Sequence, residues 1–269
     1  ARGAYDAEFN EYDVAQNKNL NRDIFKIEER SVLSSDYRMA VSNMLVTYWK
    51  AKFGYKKNDH VIIPCTVNSR SSLKLPDENA FNAKKKSLGF LNEDIVFVYS
   101  GSSAGWQSFK LMDEFLYKEM HSNKNIKVLF LGNKIPSDMR IVSEFRQRVI
   151  VKWLSNDEVF AALACCDYGL LIRESSITNK VSSPVKFAEY LASGIKVIIS
   201  QGIGDYSEFV KGHDCGYVLN TSDVELNFPA ISFKDRAVCV DIASKDFSKH
   251  TYLNEYSSVI TNLHKGVKI

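Results

Sequence analysis

The sequence has no long apolar run and no strong net charge. No stretch approaches the roughly 18 consecutive apolar residues of a transmembrane helix, so none is predicted. The formal net charge of +3 is too small to indicate a nucleic-acid-binding surface or a strongly basic membrane patch. With 45% hydrophobic and 25% charged residues, the 269-residue chain has the composition of a globular protein with one large domain or two small ones.

Cysteine and histidine follow no pattern typical of disulfides, metal sites or covalent catalysis. The five cysteines are an odd number without a C-x-x-C pair, and the five histidines are scattered singly. This usage of cysteine predicts a reducing environment such as the cytoplasm, and single histidines do not favour a metal site. The chain also contains no D-x-D sequence and no evident Ser-His-Asp or Cys-His arrangement. We therefore predict neither a bound metal nor a protein nucleophile.

Six short apolar segments alternate with helical segments from residue 95 onward. We predict strands at 95–99, 126–131, 149–151, 168–172, 196–200 and 217–219, with helices between them. Continuous apolar strands joined by helices are typical of a parallel sheet covered on both faces. Right-handed connections make such a sheet doubly wound. We therefore predict an α/β protein with a Rossmann-like sheet that binds its ligand at the carboxyl ends of the strands.

The parts before and after this sheet are less regular. Residues 1–22 are polar and predict an exposed segment, and a polar connector follows at 65–92 with Lys84, Lys85 and Lys86 on a solvated face. Between them we predict helices at 23–34 and 43–53 and strands at 37–41 and 60–64. The pattern weakens beyond residue 220 apart from a terminal helix. We divide the chain into 1–64, 65–250 and 251–269, and because it begins with Ala1 we expect a fragment.

The stretch S-S-P-V-K-F-A-E-Y-L-A-S-G, from Ser182 to Gly194, contains both helix-end signals and an unusual charge. Ser183 is a suitable N-cap, Pro184 a suitable first helical residue, and Gly194 a suitable left-handed C-cap. Lys186 lies in the first turn, where a cation opposes the helix dipole. An anion bound there would reverse that effect, because free N–H groups, serine hydroxyls and an ammonium together form a phosphate site.

Glu189 lies one turn after Lys186 and faces the same way. Its carboxylate could accept hydrogen bonds from a ribose diol next to the phosphate. The alternative is an exposed ion pair between Lys186 and Glu189, which would stabilise the helix slightly and bind nothing.

Three loops after predicted strands carry suitable chemistry. The loop Gly101-Ser102-Ser103-Ala104-Gly105 is typical of phosphate binding, although its spacing fits neither G-x-G-x-x-G nor a P-loop. The alternative is a tight turn.

The loop that begins at Arg173 and Glu174 is mostly polar and ten residues long, longer than such connections usually are. Arg173 could bind phosphate and Glu174 sugar hydroxyls; the alternative is that they pair with each other. In the third loop Gly202 and Gly204 permit a close backbone approach, while Asp205 is a candidate cap of the next helix.

These segments, taken together, resemble the donor-binding C-terminal half of GT-B glycosyltransferases, specifically the retaining family 4. The resemblance extends from about residue 28 to the end, and Glu189 matches the second glutamate of the family's paired-glutamate signature. Val181 stands where the first glutamate would be. The matching segments are I-E-E-R-S-V-L-S-S-D-Y-R-M-A-V-S-N-M from Ile27, V-I-I-P-C-T-V-N from Val61, F-V-Y-S-G-S from Phe97, D-Y-G-L-L-I-R-E from Asp167, P-V-K-F-A-E-Y-L-A-S-G from Pro184 and G-I-G-D-Y-S from Gly202.

The resemblance implies transfer of a sugar, with retention, from a nucleotide-diphosphate donor such as a UDP- or GDP-sugar. It implies a saccharide or lipid-linked acceptor, no further cofactor and an N-terminal acceptor domain. It also suggests bacterial surface-polysaccharide synthesis in the cytoplasm, with peripheral contact of the full-length protein with the inner membrane. The residues that this reading places at the reaction are Lys186, Glu189 and Glu174, and those at the donor are Gly101, Ser102, Ser103, Arg173, Ser182, Ser183, Trp153 and Gly204.

Two other functions stay open on the sequence. A nucleotide-sugar epimerase of the same architecture would need acid and base residues across the cleft, and no convincing set is present. A non-catalytic nucleotide-binding module would need no such set, and a receiver-like module would need an acidic cluster at the strand ends. Only Glu174 lies at such an end.

Overall fold

The computed structural model describes residues 3–12, 18–67, 75–102, 107–132, 135–220 and 226–266. Its strands are β1 Arg38–Ala40, β2 His60–Ile62, β3 Ile95–Ser100, β4 Ile126–Leu131, β5 Val149–Lys152, β6 Tyr168–Leu171, β7 Lys196–Ser200 and β8 Gly216–Leu219. Its α-helices are α1 Tyr5–Glu11, α2 Lys18–Ser34, α3 Asn43–Phe53, α4 Glu78–Ser87, α5 Phe109–Ser122, α6 Arg140–Glu144, α7 Asn156–Leu163, α8 Ile177–Val181, α9 Val185–Ala192, α10 Tyr206–Gly212, α11 Phe233–Asp246 and α12 Leu253–Gly266.

The larger sheet has six parallel strands in the order β5-β4-β3-β6-β7-β8. Its central strands β3 and β6 are buried along their whole length, as continuous apolar sequences require when both faces are covered. Phe97 of β3 lies opposite Val128 of β4 on one side and Tyr168 of β6 on the other. The predicted Rossmann-like α/β fold is confirmed.

Helices cover both faces of this sheet. On one face, α5 packs the buried side chains of Met112, Leu116 and Met120 against the strands. On the other, α9 contributes Phe187 and Leu191 to a second buried cluster, together with residues of α7, α10 and α11. Each helix therefore presents one apolar face to the sheet and a polar face to solvent.

The N-terminal elements form a smaller cluster of their own. β1 and β2 pair in parallel, with Arg38 opposite His60, and the helices α1 and α3 pack around the buried Trp49 and Leu45. Val181, at the end of α8, belongs to the same cluster. This contact joins the N-terminal elements to the loop that leads into α9.

Four helices differ from the sequence-based expectation. Residues 1–22 were expected to be an exposed segment, yet α1 forms there. α4 lies in the expected connector, α8 in the expected loop, and α11 where the pattern weakens. Three of them, α1, α4 and α8, have ten residues or fewer, and helices that short depend on contacts with the rest of the fold.

Lys85 lies in α4, within the segment predicted as a polar connector. Its side chain was expected in solvent, but the residue is only 3% exposed. The ammonium donates to the carbonyl oxygens of Asn92 and Asp94 at 3.1 and 2.7 Å. Because these acceptors come from a later turn, the sequence alone does not indicate them.

None of the described helices combines the length and the apolar character needed to cross a bilayer.

Candidate functional site

The strand order of the large sheet reverses between β3 and β6. From β3 the chain proceeds outward through β4 to β5, and from β6 it proceeds outward in the opposite direction to β8. Open parallel sheets bind ligands in the crevice at such a reversal, outside the carboxyl ends of the strands. The two segments that flank it here are Gly101-Ser102 after β3 and Arg173-Glu174 after β6.

Arg173 is a buried cation at this crevice. It is 8% exposed, and its Nη1 donates to Oδ1 of Asn179 at 3.4 Å, a long hydrogen bond. Among the described residues, its buried Nε has no hydrogen-bond partner and no carboxylate forms an ion pair with it. Burial lowers the pKa of the guanidinium, and the phenols of Tyr99, Tyr190 and Tyr12 act in the opposite direction. A guanidinium so placed is suited to an anion.

Lys186 and Glu189 form the pair expected on α9. The ammonium and the carboxylate Oε2 are 2.5 Å apart, and the side chains are 28% and 21% exposed. The helix begins at Val185 with Pro184 at the N-cap position, one residue later than predicted. Gly194 has a φ of 75° just past the helix end, as predicted. The pair is half-buried, and its part in binding a donor stays a prediction.

The hydroxyls of Ser182 and Ser183 are already bonded within the chain. Ser183 is no N-cap of α9: its Oγ accepts from the N–H of Cys65 at 2.8 Å and shares a hydrogen bond with the hydroxyl of Tyr206. Ser182 donates to the carbonyl oxygen of Asn179 at 2.9 Å. Both serines therefore help to fix the segment before α9, and their contact with a donor stays a prediction.

The loop after β3 approaches its neighbours closely through its backbone. The N–H of Gly101 donates to Leu131 at 3.2 Å, and the hydroxyl of Tyr99 donates to the carbonyl oxygen of Ser102 at 2.5 Å. A Cβ at Gly132 would lie 2.8 Å from the Gly101 carbonyl oxygen. Ser103 lies outside the described residues.

Glu174 and Trp153 are both exposed at the carboxyl edge of the sheet. Glu174 does not pair with Arg173; its N–H donates to Oγ of Ser108 at 2.8 Å. Trp153, just after β5, is 69% exposed. An indole that accessible contributes little to packing, which leaves its face free for a planar ligand.

Gly204 and Asp205 make contacts with segments distant in the sequence. Gly204 has a φ of 50°, and a Cβ there would lie 2.1 Å from the carbonyl oxygen of Ser182. One interpretation of the sequence made Asp205 the cap of α10, but its side chain forms no capping hydrogen bond there. Its carboxylate instead accepts from the N–H groups of Asn43 and Met44 at 2.7 and 3.1 Å, and so caps α3.

Tyrosines and an asparagine that the sequence did not single out surround Arg173. Tyr190 of α9 is fully buried, and its hydroxyl accepts from the N–H of Ser100 at 3.0 Å. Asn179 is 0% exposed and contacts both Arg173 and Tyr12. A tyrosine among the apolar residues of a helix is a usable signal, because its hydroxyl needs a partner when buried.

No family model matches the chain, and no curated relative matches it. Solved structures do: WaaG, a glycosyltransferase involved in lipopolysaccharide biosynthesis, is 14% identical with a TM-score of 0.69 over 97% of this chain and 73% of its own. Anabaena HepE in complex with UDP and glucose is 15% identical with a TM-score of 0.61, over 91% and 67%. The pneumococcal O-GlcNAc transferase GtfA, with UDP and GlcNAc, is 12% identical with a TM-score of 0.63, over 90% and 48%. The chain therefore has the Rossmann-like fold of the GT-B glycosyltransferases.

Proposed function

We propose that this chain is the donor-binding part of a glycosyltransferase that uses a nucleotide-diphosphate sugar. The observation that carries the proposal is the buried guanidinium of Arg173, which has no carboxylate partner among the described residues and lies at the reversal of strand order. The fold supports it, as do the UDP and sugar named for HepE and GtfA. A diphosphate would supply the anion that this cation lacks among the described residues.

Lys186 and Glu189 would take the next part of the donor. The ammonium of Lys186, in the first turn of α9, would bind the diphosphate together with the amides at that helix end. Glu189 would then release the lysine and accept hydrogen bonds from the ribose hydroxyls. Because the two side chains already contact each other, donor binding exchanges one charged contact for two.

The chemical contribution of these residues is electrostatic. Negative charge grows on the diphosphate as its bond to the sugar breaks, and fixed cations stabilise charge that develops in a transition state. Arg173 and Lys186 would do this at the donor. Trp153 would stack on the nucleobase, and exposed Glu174 would accept hydrogen bonds from the sugar hydroxyls.

The backbone of Gly101 and Ser102 and the hydroxyls of Ser182 and Ser183 would line the phosphate side of the site. Gly204 would act through its close approach to Ser182. No further cofactor and no metal is proposed.

The biological setting is a further part of the proposal. We propose a retaining hexosyltransferase of family 4 that acts in bacterial surface-polysaccharide synthesis in the cytoplasm, on a saccharide or lipid-linked acceptor. The role named for WaaG in lipopolysaccharide biosynthesis supports this choice. An N-terminal domain would supply most of the acceptor site and any peripheral membrane contact, so the present chain would bind donor without transferring sugar.

A titration of the chain with UDP, GDP, CMP and ADP tests the proposal. We expect one diphosphate to bind, which names the base, and Lys186→Ala and Glu189→Ala each to weaken that binding by about 1 kcal/mol or more, as lost charge-assisted hydrogen bonds do. Lys211→Ala and Glu208→Ala are matched controls, because these two residues form an exposed i,i+3 pair on α10.

The controls should leave the affinity unchanged. Absence of binding by all four nucleotides up to millimolar concentration would overturn the proposal for this chain. An equal loss in both pairs of variants would show that the effect is general to surface charge and would overturn the roles of Lys186 and Glu189.

A further inference from the structure

Residues at the end of α1 form hydrogen bonds with the start of α8. The two carboxylate oxygens of Glu11 accept from the N–H groups of Ile177 and Thr178 at 2.6 and 2.9 Å. The hydroxyl of Tyr12 lies 2.8 Å from Oγ of Ser176. These contacts connect residues more than 160 positions apart in the sequence.

Helix α8 belongs to the segment that runs from Arg173 to Ser182. Asn179, in the middle of α8, receives a hydrogen bond from Arg173, and its own Nδ2 donates to the Glu174 carbonyl oxygen at 3.2 Å. The carbonyl oxygen of Asn179 accepts from Oγ of Ser182 and from the N–H of Gly204. Asn179 thus connects α8 by hydrogen bonds to both ends of the segment, at Arg173 and Glu174 and at Ser182.

α8 is too short to be stable by itself. It has five residues, and isolated helices shorter than about 12–15 residues are marginal in water. Two amides at its start are satisfied by the Glu11 carboxylate, and its N-cap Ser176 accepts from the N–H of Asn179 at 3.1 Å. Without the contacts from α1, the segment would have to become ordered when a ligand binds, and ordering weakens binding.

We infer that Glu11 and Tyr12 are positioning residues of the donor site, which hold the segment 173–182 in the conformation that presents Arg173 and Glu174 to a nucleotide-diphosphate sugar. The inference rests on the proposed function. Neither residue needs to touch the ligand, and both act through α8 and Asn179.

The charges around Glu11 agree with this role. Burial alone would raise the pKa of Glu11, but hydrogen bonds from Thr178, Ile177 and Ser176 outweigh it and hold that pKa below its usual value. Burial, with the nearby carboxylates of Glu174 and Glu11, raises the pKa of Tyr12 to about 12. At neutral pH Glu11 therefore accepts as a carboxylate, and Tyr12 keeps the proton that it can donate.

Glu11→Gln, compared with wild type, tests the inference with two readouts. The variant keeps the size of the side chain but loses the charge that strengthens both hydrogen bonds. We expect amide hydrogen exchange at Ile177 and Thr178 to become about tenfold faster and the affinity for the bound nucleoside diphosphate to fall about tenfold, which is 1.4 kcal/mol. Glu11→Asp restores the carboxylate and should recover part of both losses.

Glu8→Gln is the matched control on the same helix. Glu8 lies one turn before Glu11, and its carboxylate makes no hydrogen bond or ion pair with the described residues. Both readouts should stay within about twofold of wild type, because the Glu8 carboxylate has no hydrogen bond to the described residues that the change would remove.

The two readouts separate the failure of this inference from the failure of the proposed function. Unchanged exchange in Glu11→Gln would show that α1 does not hold α8, and faster exchange with unchanged affinity would show that the segment does not serve the donor. Either result overturns the inference. If wild type binds none of the four nucleotides, the proposed function fails and the donor role fails with it, while the exchange measurement still decides whether α1 holds α8.

Discussion

Replacing Arg173 with methionine should stabilise the free protein and weaken its binding of a nucleoside diphosphate. The guanidinium is buried, and the hydrogen bond that it donates within the described chain, to Asn179, is 3.4 Å long. Taking a charge out of water costs several kcal/mol, and only a good partner compensates for that cost. Methionine has a similar length and no charge, so the cost disappears together with the means of binding an anion.

The expected size of the stabilisation follows from similar exchanges. Replacing a buried ion pair by apolar residues of similar volume is neutral or stabilising by about 1–4 kcal/mol, and Arg173 has no carboxylate of the described residues whose attraction would be lost. Because Arg173 retains one weak hydrogen bond and neighbouring phenols, we expect about 1–2 kcal/mol. At about 2–4 °C per kcal/mol for a chain of this length, the melting temperature should rise by about 2–8 °C.

The second buried arginine is the matched contrast. Arg236 is 2% exposed, donates to Asp167 at 3.1 Å and to the carbonyl oxygens of Ala164 and Cys166 at 3.2 and 2.6 Å. Arg236→Met leaves the Asp167 carboxylate buried without its cation. Breaking a buried pair in this way costs about 3–5 kcal/mol, so this melting temperature should fall.

Thermal unfolding followed by circular dichroism, on wild type and both variants, measures the contrast. The nucleotide titration is repeated on Arg173→Met, where we expect the affinity to fall at least tenfold, as loss of a charge-assisted contact implies. A melting temperature of Arg173→Met that falls as far as that of Arg236→Met would refute the reasoning, because it would make Arg173 a structural residue. A higher melting temperature with unchanged affinity would refute its role at the donor.

Three further predictions concern the fold. Gly169→Ala should destabilise the protein by about 1–3 kcal/mol or more in urea unfolding, because its Cβ would lie 2.2 Å from the ring of buried Tyr190. Burial lowers the pKa of Lys196, but the Asp214 carboxylate outweighs burial and raises that pKa above its usual value. The stability gained from this pair should therefore be lost as pH rises through the raised pKa. Over that pH range Lys196→Met should lose less stability than wild type. Ser42→Ala should lower the free energy of unfolding by about 1 kcal/mol, because the Ser42 hydroxyl caps α3.

The strands and the principal helices could be predicted from the sequence because their signals are local. The apolar strand 126–131 forms at the residues expected, as does α3 between its cap Ser42 and its terminal Gly54. α9 was placed to within one residue by Pro184 and Gly194. Apolar strands that alternate with helices have few compact arrangements, which is why the doubly wound sheet followed from their order.

The candidate site was predicted only in part, since its properties depend on residues far apart in sequence. That Lys186 and Glu189 would meet followed from helical spacing. That Ser183 would bond to Cys65 and Tyr206, or that Asp205 would cap α3 rather than α10, did not. A hydroxyl or carboxylate has several possible partners nearby, and the fold selects among them.

The sequence by itself determined the parallel sheet, the bounds of α9 to within one residue, and the chemical types of the residues at the carboxyl edge of the sheet. The tertiary structure decided that Arg173 is buried without a carboxylate partner among the described residues, and that Glu11 of α1 bonds to the start of α8. The physical reason is the range of the interactions. Backbone propensity and hydrophobic periodicity act over a few residues, whereas burial and the pairing of polar groups depend on what the folded chain brings together.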